Sequence, residues 1–391
     1  MSALHTSSLL LALRRLKYGP ALAAAFSHGH RLHSTTSPSS WTKVVSEAEK
    51  IVGYPTSFMS LRCLLSDELS NIALNVRKLV GTKHPLISTA RRFIYDNRNN
   101  LQLRGLVVLL MSKAAGPSKT ADPPMEGDLV SGIYPSQRNL AEITELIHTA
   151  FLVHRGIVNI MELTASHGPL KDMQFGNKMA VLSGDFLLAN ASTGLAQLQN
   201  TQVVELVSSA IGDLVQGVYY ENSGFDEEKV TDDIPMTKWA KRTFLSHGAL
   251  LAKCCQGAMQ LAKHDTALQE MAFRYGKHMS LAHKLNSDLQ PFLEEGFGDS
   301  VPFNLNSAPI ILHQETSGRD TWINQLKQTK TNGKQPDYAK LRQIIKAGKG
   351  VSSSFELCRH HGNQALEALR SFPTSEARST LENIIYAVHK F

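Results

Sequence analysis

Three sets of residues in this chain have side chains suited to metal-assisted or acid–base chemistry. Asp232 and Asp233 are adjacent carboxylates of the kind that hold a hard divalent cation. Pro235 and the polar residues around the pair put it in a loop, where a turn or a helix N-cap accounts for it better than a metal site. His148 and His154 are six residues apart, and His278 and His283 are five apart. At those spacings imidazoles leave a helix from different faces, so neither pair is set to share a metal ion. Cys63, Cys254, Cys255 and Cys358 show no Cys-x-x-Cys spacing, and the adjacent pair diverges on a helix. They read as small buried apolar residues in a reducing compartment, a reading that goes against a zinc site or a disulfide frame.

The elements that must carry these side chains are helical. Apolar residues recur at steps of three and four over 41–52, 60–80, 86–113, 136–164, 174–198, 201–220, 240–262, 266–293, 336–348, 351–372 and 374–390. Strand-like alternation is nearly absent. Gly132, Gly168-Pro169, Gly224, Pro235, Gly296, Gly298 and Gly348 fall where helix ends are needed, and 116–128, 222–235 and 327–335 read as loops. The segments 177–198 and 245–262 are apolar around most of their circumference, as central helices of a large bundle must be. With no fixed-period repeat and no convincing interdomain linker, residues 41–391 read as a single all-α domain.

Composition agrees. The 391 residues are 42% hydrophobic and 19% charged, which suits a globular protein with a sizeable core. Of the formal net charge of +7, Arg14, Arg15, Lys17 and Arg31 supply four within a stretch that holds no acid before Glu47. The remaining surplus does not call for nucleic acid, and no basic run interleaved with aromatics occurs. An apolar, Ser-containing, basic and acid-free opening has the composition of a mitochondrial transit peptide over residues 1–40, with an untargeted disordered leader as the alternative. No segment reaches about 18 uninterrupted apolar residues, so no transmembrane span is expected.

Several blocks together resemble one family. Glu145, His148, Ala150, Leu152 and His154 form the first. Phe175-Gly-Asn-Lys-Met-Ala-Val-Leu-Ser-Gly-Asp-Phe-Leu-Leu-Ala189 is the second and most specific. Tyr275-Gly-Lys-His-Met-Ser-Leu-Ala-His-Lys-Leu-Asn-Ser-Asp-Leu-Gln-Pro-Phe292 is the third, followed by Asn304-Leu-Asn-Ser-Ala-Pro309 and by Ala365–Leu369, Ala377, Arg378 and Leu381. Across nearly the whole chain behind the leader this resembles the all-trans polyprenyl diphosphate synthases, of the trans-isoprenyl diphosphate synthase family. The resemblance implies an isoprenoid-synthase helical bundle that ionises an allylic diphosphate and joins it to isopentenyl diphosphate. Mg²⁺ must neutralise the departing diphosphate, held by carboxylates one turn apart on two facing helices, while basic residues grip the remaining oxygens.

Measured against that requirement the chain departs at most of the chemical positions. Arg155, Gly156 and Asn159 stand where the first aspartate motif belongs, and a cation at 155 repels Mg²⁺. Ser287, Asp288 and Pro291 stand for the second motif, with Lys284 in place of its glutamine. Ser166-His167 replaces an Arg-Arg pair, and His247-Gly248 a Lys-Thr pair. Lys83, His84 and Lys178 are the residual candidates for substrate contact. Asp185, set within a helix read as buried, suits packing or hydrogen bonding better than catalysis, and Ala150 suits ordinary core.

The resemblance then implies a non-catalytic or regulatory subunit of a heteromeric trans-polyprenyl diphosphate synthase, inactive alone. It would act in the mitochondrial matrix, free or peripheral to the inner membrane, on the ubiquinone side chain. The partner would be a homologous catalytic subunit in a heterotetramer, holding the Mg²⁺ and working on farnesyl or geranylgeranyl diphosphate. This chain would bind no metal, and its helices around 141–163 and 204–220 would meet the second subunit. The alternative is a non-enzymatic all-α protein that binds prenyl lipid or scaffolds a complex.

Overall fold

The computed structural model describes residues 40–53, 79, 82–87, 89, 103–118, 129–163, 168–222, 235–293, 303–329 and 337–389. The leader, Cys63, Asp232-Asp233, Ser166-His167, all of the 60–80 helix but Leu79, and much of each expected loop lie outside them.

Helices follow in the order α1 (Ser40–Val52), α2 (Leu103–Ala115), α3 (Pro135–His154), a 3-10 turn (Ile160–Glu162), α4 (Leu170–Gln197) and α5 (Thr201–Asn222). Then come α6 (Met236–Thr243), a π turn (Phe244–Gly248), α7 (Ala249–Leu261) and α8 (Thr266–Leu293). The chain closes with α9 (Ala308–Ser317), α10 (Arg319–Thr329), α11 (Tyr338–Ala347), α12 (Gly350–Leu369) and α13 (Glu376–Val388). Among the described residues the only extended pairing is an isolated bridge between Val130 and Ile133. Compact packing runs from Ser40 to the end of the chain. The protein is all-α, and none of the described helices is long and apolar enough to cross a membrane.

Helices without a polar face must go to the centre, and α2 and α7 do, with the second half of α3 between polar groups that find partners there. Leu106 to Met111 of α2 are all buried, as are Leu140, Ala141, Ile143 to Ala150 on α3 and most of α7. Gln137 is tolerated inside because its amide donates to the Ala258 carbonyl at 2.9 Å and its oxygen accepts from the Tyr134 amide at 3.1 Å. Around this centre α4 packs on α3, α5 on α7, α8 on α7 and α12, and α13 on α1 and α2. The α7–α8 contact is close because Gly276 backs onto Ala252, where an added Cβ would lie 2.7 Å from the neighbouring Cα. That contact fixes how His283 and Lys284, two turns further along α8, enter the bundle. Trp322, Phe292, Phe303 and Leu341 build a second core that joins α9–α11 to the end of α8.

Four expectations need correction. The helix read over 136–164 stops at His154. The stretch 303–329, where no helix was read, forms α9 and α10. Each is too short to display apolar periodicity, and Gly318 at φ +83° separates them. The segment 177–198 is not buried all round: Val181, Leu182, Asp185 and Ala189 are exposed. Conversely, 141–150 is largely spent in the chain's own core, while α4 and α5 each present several large apolar side chains to the surface.

Candidate functional site

The first motif is altered in its backbone as well as in its side chains. After His154 the chain leaves the helix: the Arg155 and Gly156 amides still donate to Phe151 and Val153 carbonyls at 3.0 Å, the Ile157 amide to His154 at 3.1 Å, and by Asn159 the backbone is extended. Gly156 is the residue that releases the helix. Beyond it Asn177 of α4 grips Val158 from both sides, accepting from its amide and donating to its carbonyl, each at 2.9 Å. Asn159 then accepts from the Met161 amide at 3.1 Å and caps the 3-10 turn. Positions 155 and 159 therefore do not share a helix face, and the Asn159 oxygen is committed to a turn. The Arg155 guanidinium lies over the Phe151 ring at 4.9 Å.

The Asn177 oxygen also faces His84 Nε2 at 3.1 Å, and His84 Nδ1 accepts from the Leu86 amide at 3.1 Å. The second bond fixes the tautomer, so Nε2 carries the proton and donates to Asn177. Replacing Asn177 with Ala removes three bonds and is expected to destabilise the fold by about 1–3 kcal/mol. Hydrogen exchange at the Val158 amide should rise with it; an unchanged exchange rate would show that the clamp does not hold this segment.

The most specific block of the sequence, on α4, makes room for histidines. Gly176 faces the His84 ring and Gly184 the His154 ring, so closely that neither position has space for a Cβ. His154 Nε2 lies 3.3 Å from both the Val181 carbonyl and the Asp185 carboxylate, fastening the end of α3 to α4. Asp185 is exposed, contrary to the buried setting expected of it, and its polar contact is this histidine. Of the residual substrate candidates, His84 is buried in the clamp just described, whereas Lys83 and Lys178 are exposed.

In the second motif Ser287 is exposed and Pro291 is carried inside α8. Asp288 is buried, and both of its oxygens are engaged. Oδ1 pairs with Lys284 one turn back, and Oδ2 accepts from the Ala308 amide at 3.1 Å. Ser307, the residue at the N-cap position of α9, makes no side-chain cap, so Asp288 caps that helix from another element.

Between these two motifs stand cations and imidazoles. Arg104, the only charged residue between Leu103 and Ser112, donates from Nη1 to His148 Nε2 at 2.9 Å. Glu145 accepts from the Gly105 amide at 2.6 Å, and burial pushes its carboxyl up to about 7 against the opposing pull of that amide and of Arg104. Its second oxygen is buried without a partner. Burial holds His148 and His247 well below the usual imidazole range, with Arg104 and Arg155 adding to the effect on both and Lys284 on His247. His283 keeps open surface, yet burial, then Arg104 and Lys284, push it down to about 4. Part of that burial is the Trp41 ring of α1, whose centroid lies 6.0 Å from that of His283. His247 hangs from the π turn, its Nδ1 2.6 Å from Ser246 Oγ; such turns recur at functional sites.

This donor set does not fit Mg²⁺. Hard cations need several convergent oxygens, and here the one surviving motif carboxylate is consumed by Lys284 and α9 while Arg155 adds repulsion. Among the described residues no group of three or more His, Cys, Asp and Glu is placed to hold a metal ion. Cys254, Cys255 and Cys358 are buried free thiols, and burial raises all three, Cys254 and Cys358 to about 12. Sequence reasoning missed Arg104, although a lone cation at the head of an apolar run was the signal available.

Comparison with known proteins places the chain. The polyprenyl synthetase family model matches residues 97–296, a range that begins after Lys83 and His84. The chain is 66% identical over 379 residues to the all trans-polyprenyl-diphosphate synthase PDSS2 of Homo sapiens, covering 97% of this chain and 95% of that one. It is 31% identical to a probable mitochondrial hexaprenyl pyrophosphate synthase of Neurospora crassa, over 88% of this chain and 86% of the other. In fold it is similar to a polyprenyl synthase from Caulobacter crescentus, with a TM-score of 0.62 at 19% identity, over 91% of this chain and 99% of that one. An Arabidopsis medium/long-chain length prenyl pyrophosphate synthase aligns with a TM-score of 0.56 at 26% identity, over 84% and 98%. With that match over half its length, and relatives this similar along nearly the whole chain, the chain belongs to the polyprenyl synthetase family.

Proposed function

We propose that this chain is the non-catalytic subunit of a heteromeric trans-polyprenyl diphosphate synthase. The observation that carries the reading is the commitment of the motif residues to the fold: α3 ends before position 155, Asn159 caps a turn, and Asp288 caps α9. The partner is a homologous chain with both aspartate motifs intact, assembled with this one as a heterotetramer. It holds the Mg²⁺ and joins farnesyl or geranylgeranyl diphosphate to isopentenyl diphosphate, toward the ubiquinone side chain. Apolar side chains open to solvent on α4 (Val181, Leu182) and α5 (Val215, Tyr219) support a docking face for that partner. The acid-free leader and the mitochondrial label of the Neurospora crassa relative support a mitochondrial destination.

Coexpression with a homologue that keeps both motifs tests the reading. Isopentenyl incorporation should be absent from this chain alone and reach full rate and product length only in the mixture. If the partner alone performs equally well, the subunit reading fails in favour of a non-enzymatic prenyl-lipid-binding or scaffold protein. Mg²⁺-dependent product from this chain alone would instead make it an active synthase.

A further inference from the structure

His278 and His283 leave α8 from different faces, but His278 meets another imidazole across the bundle. α8 packs along α12, and there the Nδ1 atoms of His278 and His361 stand 2.9 Å apart. We propose that His278 and His361 together bind a divalent transition-metal ion of the Cu²⁺ or Ni²⁺ class, each through Nδ1, so that the ion clamps α8 to α12. The site is separate from the former aspartate motifs. His278 precedes Asp288 by ten residues, about 15 Å along the helix.

The spacing suits such an ion. Imidazole nitrogens bind at about 2.0–2.1 Å, so two of them meeting an ion at a right angle lie about 2.9 Å apart, against about 3.3 Å at a tetrahedral angle. The observed separation is that of a square-planar or tetragonal corner, the geometry that marks Cu²⁺ and Ni²⁺. The rings meet at their edges, with centroids 5.1 Å apart and planes inclined by 37°. Turning each ring about its Cβ–Cγ bond aims both lone pairs at one ion. Both side chains are half-buried, so the outer side of the pair is open to that ion and its water ligands. Among the described residues no third His, Cys, Asp or Glu is already in place around the pair, and the remaining positions fall to water. His360, exposed beside His361 with its ring centroid 5.4 Å away, is not needed for the corner.

The exchange of proton for metal balances within the pair. Without an ion, one ring carries its proton on Nδ1 and donates it to the other. On binding, that ring gives up the Nδ1 proton and takes one on Nε2, so both Nδ1 lone pairs face the ion and no net proton is released. Burial is the leading cause that keeps both rings neutral at pH 7, so neither has to lose a charge first. The neighbouring cations are turned elsewhere. Arg274, one turn back on α8, donates to Gln364 Oε1 at 3.1 Å and to Met271 Sδ at 3.9 Å, and Lys277 Nζ lies over the Phe244 ring, 5.7 Å from its centroid. Their repulsion lowers the affinity, but neither side chain fills the space in front of the pair.

Electron paramagnetic resonance of the full chain titrated with CuCl₂ tests the site. The chain carries His28→Gln, His30→Gln and His33→Gln, so that the closely spaced leader imidazoles do not compete. The first equivalent should give a tetragonal signal with coupling to two nitrogens. The melting temperature should be higher in CuCl₂ than in EDTA, because an ion that joins two helices binds the folded chain in preference to the unfolded one. His278→Gln and His361→Gln, each shown to be folded by its melt in EDTA, should each lose both the two-nitrogen coupling and the melting shift. His360→Gln should keep both. The parent signal and its melting shift decide the matter even if a variant fails to fold. A parent signal without two-nitrogen coupling, equal melting in CuCl₂ and EDTA, or an equal loss in His360→Gln overturns the proposal.

Discussion

Lowering the pH from 7 to 5 should bring this protein to the edge of unfolding. Burial is the leading cause that keeps five imidazoles neutral: His148 and His247 well below the ordinary range, His278 and His283 pushed down to about 4, and His361 to about 3. In the unfolded chain each takes up a proton near pH 6.5. A depressed base stabilises the fold fully above that value and loses its contribution as pH falls toward the folded value, because the unfolded state then binds more protons. A histidine wholly prevented from protonating costs about 2 kcal/mol at pH 5. His278, His283 and His361 keep some open surface, so solvent screening makes their share smaller. Glu145 works the other way. Its raised carboxyl stabilises the fold below about pH 4.5, the ordinary carboxyl range, and loses that contribution as pH rises through about 7. One carboxyl offsets only part of five imidazoles. The net loss of several kcal/mol is comparable with the roughly 5–15 kcal/mol that holds a domain together. Urea midpoints at pH 7, 6 and 5 should fall steeply. The slope should ease when His278 and His361, whose Nδ1 atoms meet at 2.9 Å, are both replaced by Gln. Midpoints that stay level across the range would sink the account.

Asp288→Ala is expected to cost about 3–5 kcal/mol, the penalty for leaving one partner of a buried ion pair alone. Lys284 loses its counter-charge and the first turn of α9 loses its cap, so the core around Trp322 and Phe292 is loosened with it. Asp288→Asn keeps an oxygen for the Ala308 amide and should cost less. Replacing the pair together, Lys284→Met with Asp288→Leu, should cost less than the two single changes summed. Thermal melts of the five variants, the two single changes of that pair included, decide the matter. If Asp288→Ala melts with the parent protein, the carboxylate has no structural task and its survival needs another explanation.

Much of the bundle was legible in the sequence because burial on all sides leaves a plain mark. The run 245–262, read as apolar around most of its circumference, became the buried α7, and helix period plus Gly and Pro placed most of the rest. What escaped did so for identifiable reasons. Apolar residues continue from Leu152 through Val158 to Leu163, so periodicity carried α3 past a terminus that Gly156 and the Asn177 clamp impose from another helix. The cap of α9 comes from Asp288, twenty residues away, and no local pattern reports a bond across that distance. Asp185 was placed inside because its neighbours are apolar, but apolar residues on α4 also face outward. At the candidate site, substitution was readable and convergence was not. Arg155 and Lys284 announced the loss of carboxylates, while the approach of Arg104 to His148 depends on packing between α2 and α3.

The double engagement of Asp288 also bears on history. A carboxylate that seats α9 and neutralises Lys284 is not returned to a metal merely by changing its neighbours back to aspartate, since both of its oxygens are already bonded. Reversal would need Lys284 replaced, a new cap supplied at Ser307 or Ala308, and α3 extended through Gly156, and each step taken alone weakens the fold. Descent into this state is easy one substitution at a time, and the return is barred at every single step. The arrangement behaves as a ratchet: the bonds that seat α9 are the same bonds that keep Asp288 from a metal.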